Sequence, residues 1–384
     1  MFDVVVIGQG LSGLLSAISA KEQGFRTALV SIGSGKIIQS TGVMDLIPGS
    51  HGGLKEWMEF HQLTVGQKQG AIDAVEQFKE LTERLGYPYS GDPEKPVQIV
   101  TGAGHVKTTT LYPQTIKPVP ERGHVVVVGF QGISDFQPAY VAGNLHKHRP
   151  DLIIDTMKIS LGKHSQRTMT QLDAARLLDQ EEVRNECLTQ IKQQLTEKNI
   201  RRPSLFIFPA SLGIENWRKT VEQFTRELGT AVTEAPGMPP NATAIRLNER
   251  LKKQAVRLGI RFYSDTTVTG FKADGQMIQS LMIKTVNQVT ELQGKQFVLA
   301  TGGILGGGLE ATPSGLKETA LGLKTDEEGA LLNCPVNLHP VGAANGLQNT
   351  QYGITGGIFS IVSAYQTINQ VCQLASVEGG TRSA

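Results

Sequence analysis

Cysteine is scarce in this chain of 384 residues: three occur, Cys187, Cys334 and Cys372, far apart and without a C-x-x-C spacing. An iron–sulfur cluster or a structural zinc held by this chain alone is thereby excluded, because either needs several thiolate or imidazole ligands gathered in close pairs. Long apolar runs are missing too. No stretch reaches the ~18 residues of a membrane span, and the short apolar start carries Asp3, which marks a strand and not a signal peptide. Nor does one sign of charge prevail, since 37 Lys and Arg stand against 35 Asp and Glu, a net of +2. The denser basic spots, His146-Lys147-His148-Arg149 and Arg201-Arg202, flank expected strands and read as solvated loop ends, which speaks against nucleic acid as a partner. What is left is the composition of an ordinary globular protein, 39% hydrophobic and 19% charged, long enough for two substantial domains. An intracellular protein is expected, any membrane contact being borrowed from a partner.

One further absence lies inside a motif. Residues Phe2 to Ile7 read as a buried strand that runs into Gly8-Gln9-Gly10-Leu11-Ser12-Gly13 and then into an apolar-periodic helix. In such a G-x-G-x-x-G turn the first glycine allows the sharp bend, the second lets backbone N–H groups approach a phosphate, and the third lets helix and strand pack closely. A glycine-rich turn without ligand is the alternative. A carboxylate is expected about 20 residues on, where it would hold the ribose hydroxyls of an adenosine. This chain has Ser31-Ile32-Gly33-Ser34 there, and one hydroxyl cannot chelate two others as a carboxylate does. FMN, which lacks the adenosine, therefore rises as a candidate cofactor, with FAD as the alternative.

The rest of the chain alternates strand and helix signals, so the class is α/β. Leu54 to Leu85 has helical spacing, and Pro88, Pro93 and Pro96 then break the chain before a strand at 97–100. Further strands are expected at 124–129, 152–161 and 204–208, with helices at 138–148, 171–195 and 217–228. A helix at 243–258 precedes hairpin-like strands at 260–263, 268–273, 277–286 and 289–292, with Asp274-Gly275 as a turn. A buried strand then ends in Ala300-Thr301-Gly302-Gly303, and Thr355-Gly356-Gly357 leads into a last apolar helix. The expected division is a discontinuous nucleotide-binding domain, 1–50 with 241–384, and an inserted α/β cap, 51–240.

An N-terminal glycine fingerprint, a strand ending in Thr301-Gly302-Gly303 and a glycine-rich loop feeding a C-terminal helix together resemble the Rossmann-like, two-dinucleotide-binding-domain flavoproteins. Within them the chain is most similar to the B subunits of anaerobic glycerol-3-phosphate dehydrogenases, nearly end to end. The likeness rests on 4–13, on Ser40-Thr41-Gly42-Val43-Met44-Asp45-Leu46, on 127–132 with Asp135-Phe136-Gln137, and on Phe208-Pro209-Ala210-Ser211-Leu212-Gly213. It continues through Pro239-Pro240 with Ile245-Arg246-Leu247 and through Gly306-Gly307-Gly308-Leu309. The resemblance implies an FMN-containing subunit that works with a catalytic FAD-type subunit and a membrane-associated iron–sulfur subunit. Such complexes oxidise sn-glycerol 3-phosphate to dihydroxyacetone phosphate and pass electrons to quinone, which would place this chain in the cytoplasm at the inner face of the membrane. One departure concerns Val341-Gly342-Ala343-Ala344-Asn345, where many two-domain flavoproteins carry Gly-Asp to hold a ribityl hydroxyl and where Ala343 offers no acceptor.

The expected cofactor contacts are Gly8, Gly10, Leu11, Ser12, Gly13, Ser31, Ser40, Thr41, Gly42, Thr301, Gly302, Gly303, Gly342, Thr355, Gly356 and Gly357. Small residues at 40–42 let backbone N–H groups reach a phosphate or a ring edge, a plain turn being the alternative. Alcohol oxidation also asks for a base and for cations on the phosphate. Arg246 is a candidate phosphate fork, although Glu249 stands at i+3 as a surface partner. His339 is a candidate base, or else a hydrogen-bonded core residue. Three functions remain open at this point: an electron-transferring flavoprotein subunit, a flavin-free structural subunit, and a self-sufficient flavin oxidoreductase on another small acid. In the first, electrons must leave through another polypeptide, because no cysteine cluster receives them here.

Overall fold

The computed structural model describes residues 1–46, 52–60, 63–313, 315–346, 350–351 and 354–380. Its elements begin with β1 (Phe2–Ile7), α1 (Leu11–Glu22), β2 (Thr27–Val30), α2 (Leu54–Phe60) and α3 (Val65–Arg84). Short strands β3 (Tyr89–Ser90), β4 (Val97–Val100), β5 (Val106–Thr109) and β6 (Tyr112–Pro113) lead to β7 (Gly123–Phe130), α4 (Pro138–His148) and β8 (Leu152–Ile159). Next come α5 (Gln171–Leu177), α6 (Glu181–Glu197), β9 (Leu205–Pro209), α7 (Trp217–Leu228), β10 (Val232–Ala235) and α8 (Ala242–Arg257). The remainder is β11 (Arg261–Tyr263), β12 (Thr267–Asp274), β13 (Met277–Lys284), β14 (Val289–Leu299), β15 (Leu309–Thr312), β16 (Gly315–Glu318), β17 (Leu338–Pro340), β18 (Thr350–Gln351), β19 (Ile354–Thr355) and α9 (Gly357–Gly380).

The fold is mixed α/β and divides into two compact units, 1–37 with 44–86 and 248–384, and 38–43 with 87–247. This division differs from the expected 1–50/241–384 and 51–240. Helix α3 buries Ala71, Ala74, Val75, Phe78 and Leu81 at helical spacing and packs on α9, so 51–86 cannot be split from the C-terminal helix. Segment 38–43 belongs with the other unit, because Thr243 Oγ1 donates to Thr41 O (2.7 Å) and Asn241 Nδ2 to Ser40 O (3.2 Å). The expected boundary at 50 itself lies outside the described residues.

In the first unit β11, β2, β1, β14 and β17 run parallel in that order, and β13 and β12 extend the sheet antiparallel beyond the first half of β14. Val4, Val5 and Val6 are wholly buried, as expected of a parallel strand covered on both faces. The stretches at 289–292 and 296–299, expected as two strands, are one strand of 11 residues. Its start pairs with β13 and its end pairs with β1 and β17, with Gly294 opposite Phe2, so the hairpin and the parallel sheet share one backbone.

The second unit has its own four-stranded parallel sheet, in the order β10-β9-β7-β8. The single helix expected at 171–195 is two, α5 and α6. Asp179 occupies the break and accepts the backbone N–H groups of Ile214 (2.9 Å), Glu215 (3.2 Å) and Asn216 (2.9 Å), while Arg184 donates back to Leu178 O and Asp179 O. Continuing the helix would forfeit that carboxylate cap at the entry to α7. Among the described residues no helix is long and apolar enough to cross a membrane.

Candidate functional site

Every part of the candidate site in the first unit sits where parallel strands end. β1 stops at Ile7, Gly8 N donates to Val30 O (2.8 Å), and Ala300 N donates to Ile7 O (2.8 Å), so the turn is clamped between the ends of β2 and β14. Gly8 has φ +107°, and a methyl in place of its hydrogen would fall 2.3 Å from the Ala300 carbonyl oxygen. At Gly13 the added methyl would lie 2.0 Å from Gly8 O, which is the close helix-on-turn approach that only glycine permits. Gly10 differs. It is the N-cap of α1, makes no side-chain cap bond, and a methyl there would meet nothing within 4 Å. The N–H groups of Leu11, Ser12 and Gly13 have no acceptor within the helix and face out from its positive end, and no acidic residue occupies the first turn to compete for them. That is an anion cradle with an open mouth.

Two hydroxyls beside it are without partners among the described residues. Ser31 Oγ, at the end of β2, and Thr301 Oγ1, at the end of β14, are buried and make no hydrogen bond there. The Ser31 backbone is nonetheless fixed, since its N–H donates to Tyr263 O and its carbonyl accepts from Thr266 N, both at 3.0 Å. Buried hydroxyls normally find partners, so two unmet ones flanking an anion cradle fit a polar ligand that passes across the ends of β2, β1 and β14. Replacing Ser31 by Ala is expected to leave the melting temperature of the ligand-free chain unchanged or slightly raised, because no hydrogen bond is lost. Retention of flavin should fall several-fold, by about 1 kcal/mol. Differential scanning fluorimetry and a flavin titration check the two halves.

The loop after Thr301 returns on itself, a methyl at Gly308 meeting Gly302 O at 2.0 Å, and Gly303 lies 3.2 Å from Ala343 by the same measure. Gly342 has φ +58° and is wedged between helices: its N–H donates to Ser363 Oγ (2.9 Å), and an added methyl would strike Ser12 Oγ at 2.7 Å. The structure thus gathers Gly8, Gly10, Leu11, Ser12, Gly13, Ser31, Thr301, Gly302, Gly303 and Gly342 at one sheet edge. Gly356 and Gly357 lie in the same unit against Met44, Asp45 and Leu46, where a methyl on Gly356 would collide with Leu46 O at 1.8 Å. Thr355 is placed as part of β19; its side chain, with Tyr352 and Gly353 of the same motif, is outside the described residues.

Other expected residues stand elsewhere. Ser40, Thr41 and Gly42 belong to the second unit, where Ser40 Oγ accepts from Gly42 N (3.1 Å) and Tyr89 Oη donates to Gly42 O (2.5 Å). Arg246 is 1% exposed, and its partner is Glu234 and not the expected Glu249. Nη1 and Nη2 donate to the two carboxylate oxygens at 2.7 and 2.8 Å, Nε donates to Gly213 O (2.7 Å), and Tyr87 and Thr115 lie beside Nη1. Burial pulls the pKa of this guanidinium down, but Glu234 more than offsets it and holds it above its usual value. With its donors spent on protein, Arg246 is a sealed core cation and not a phosphate fork.

His339 is half-buried on β17, and its Nε2 is 2.8 Å from Gln296 Oε1. Its register partner on β14 is Val298, two residues beyond Gln296, so the ring leans back along the sheet, away from the strand end that bears Thr301. Burial lowers its pKa. These are the marks of a hydrogen-bonded interior histidine, the alternative that its strand setting had left open.

Sequence reasoning missed Gln9 and Gly35. Gln9 Nε2 donates to Gly33 O, and a methyl on Gly35 would lie 2.8 Å from Gly10 N, so the loop after β2 folds against the glycine turn. Gly33-Ser34-Gly35 after a strand was the available signal.

A family model described as FAD binding domain matches residues 3–355. Among curated proteins the chain is similar to the B subunit of the anaerobic glycerol-3-phosphate dehydrogenase from Mannheimia succiniciproducens, 25% identical over 80% of this chain and 75% of that one. It is also similar to the B subunit of the same enzyme from Actinobacillus pleuropneumoniae, 24% identical over 97% and 89%. Among solved structures, the 3-ketosteroid delta1-dehydrogenase from Sterolibacterium denitrificans covers 79% of this chain at 14% identity and a TM-score of 0.37. The match spans 48% of that enzyme, and a likeness at that level carries no argument about activity.

Proposed function

Since this chain belongs to the FAD binding domain family, we propose that it is the flavoprotein subunit of an anaerobic glycerol-3-phosphate dehydrogenase. In this reading the complex oxidises sn-glycerol 3-phosphate to dihydroxyacetone phosphate and electrons pass through partner subunits to quinone. The unit holding the glycine turn is the Rossmann-like flavin-binding part, and 87–247 is the inserted one. The observation that carries the reading is the open N-terminus of α1 at Gly10 beside the unmet hydroxyls of Ser31 and Thr301, in a chain similar almost end to end to proteins of that name.

A flavin held there would supply a redox group able to take electrons from the catalytic subunit and hand them on. The chain's own groups bind and orient it. The Leu11, Ser12 and Gly13 amides neutralise a phosphate without a side-chain cation, and the Ser31 and Thr301 hydroxyls give up no protein hydrogen bond when they turn to a ligand. Gly303 and Gly342 keep side chains out of the space beside the turn. Ser31 can engage one ribose hydroxyl but not two, which favours FMN and leaves FAD as the alternative. Neither Arg246 nor His339 takes part. The partners in this proposal are a catalytic FAD-type subunit and a membrane-associated iron–sulfur subunit.

A flavin-free structural subunit is the competing reading, and it draws on Ala343, which sits beside Gly303 with a methyl where an acceptor would hold the flavin. An absorbance spectrum of the purified chain, followed by chromatography of the flavin released by acid, separates them. Released FMN is the expected result. FAD would replace the cofactor assignment while keeping the flavoprotein, and no flavin after reconstitution would overturn the reading.

A further inference from the structure

Away from the glycine turn, the first unit carries an open cleft of about 540 Å³ where the end of α1 meets α3 and α9. The spacing that turns Ala71, Ala74, Phe78 and Leu81 inward leaves Glu80, Glu83 and Arg84 on the adjoining stripe of α3, along the cleft. Glu22 of α1 and Tyr365 of α9 face them, and Ser19 lies one turn before Glu22.

Three features define what this cleft can take. Its charge is negative, because three glutamates stand against one arginine and Arg84 Nη2 is already committed to Glu22 Oε1 at 3.2 Å. Glu80 and Glu83 enter no ion pair among the described residues. Ser19 and Tyr365 are 6% and 5% exposed, yet both line the cleft, and neither hydroxyl has a hydrogen-bond partner among the described residues. Burial, with Glu22 and Glu80 adding, pushes the Tyr365 pKa upward, so the phenol stays neutral. Beside Arg84 and the side-chain amides of Gln23 and Gln77, the cleft offers two hydroxyls and the carboxylates of Glu80 and Glu83 as acceptors for a donor-rich cation.

We propose that this cleft binds a linear aliphatic amine with ammonium groups at both ends. An ammonium carries three donors and no acceptor, which matches hydroxyl and carboxylate oxygens converging from three helices. Anions are repelled by the net charge. No group of three His, Cys, Asp or Glu among the described residues is placed to hold a metal ion. One ammonium sits on Ser19 and Tyr365, and the alkyl chain runs along the cleft to bring the second to Glu80 and Glu83. The volume is of the size that small ligands occupy, larger than one ammonium needs.

The test is calorimetric titration of the full chain with 1,4-diaminobutane at low salt. Saturable one-site binding is expected, with 1-aminobutane binding about tenfold more weakly and glutarate not at all. Tyr365→Phe removes a hydroxyl that has no partner in the free protein, so that variant should fold with unchanged melting temperature and bind the diamine about five- to tenfold more weakly. Glu80→Gln with Glu83→Gln should weaken binding further and flatten its salt dependence. Absence of saturable binding would overturn the proposal, and so would binding that Tyr365→Phe leaves untouched, since that is attraction to surface charge alone. None of these readouts depends on flavin content.

Discussion

Replacing Glu234 with Ala is expected to cost the second unit about 3–5 kcal/mol, because it strands a guanidinium with no exposed side-chain surface. The carboxylate accepts from three donors at once. It binds both Nη atoms of Arg246, and its Oε1 also accepts the Leu212 N–H at 2.7 Å. The cluster extends to Tyr87, whose hydroxyl donates to Thr243 O (3.1 Å) and whose pKa is pushed up to about 12, by burial first and with Glu234 adding. Trp217 packs on Tyr87 at 5.2 Å, so its fluorescence reports on this neighbourhood. The chain has two tryptophans, and Trp57 belongs to the other unit. In a Trp57→Phe background, urea unfolding followed by Trp217 should shift to markedly lower denaturant for Glu234→Ala. The double change Glu234→Leu with Arg246→Leu should recover much of the loss, because it removes the ion pair as a pair. A shift below about 1 kcal/mol in the single variant would show that water reaches the guanidinium.

The second large effect separates holding a cofactor from holding the fold. Gly10→Ala should cost about 1 kcal/mol or less of stability, since the N-cap has φ −71° and the new methyl meets no protein atom. It should nonetheless lower flavin affinity about 10- to 100-fold, because the methyl occupies the mouth of the cradle where backbone amides must touch a phosphate. Gly13→Ala reverses the order. Its methyl would sit 2.0 Å from Gly8 O and 3.1 Å from Ala300 Cβ, so α1 must move off the sheet and the first unit loses about 1–3 kcal/mol or more by overpacking. Flavin content and Trp57-reported unfolding, measured on both variants, check this. Equal flavin content in Gly10→Ala and the parent chain would place the cofactor elsewhere.

Much of this architecture was legible because it rests on local patterns. The run Val4 to Val6, the glycines at 8, 10 and 13 and the helical period behind them specify strand, turn and helix within a short stretch. Asp274-Gly275 announced its hairpin in the same way, with Gly275 at φ +58°. Reading failed where a residue's role depends on a partner far along the chain. Glu249, at i+3, was the visible partner for Arg246. The actual one, Glu234, lies on β10, and the Tyr87 that completes the pocket is 159 residues away. His339 showed a strand context but not Gln296, which reaches it only through the pairing of β14 and β17. The break between α5 and α6 was hidden for the same reason, because Asp179 leaves the helix to cap amides at 214–216.

By itself the sequence determined the α/β class, the glycine turn and the family, since these follow from residue types at short fixed spacings. Tertiary structure alone decided which polar groups are spent and which are spare. Arg246 and His339 turned out to be spent, whereas Ser31 and Thr301 keep buried hydroxyls without partners among the described residues. The physical reason is that hydrogen-bond satisfaction of a buried group is settled by what packs against it in space, and a one-dimensional pattern carries burial but not the identity of the neighbour.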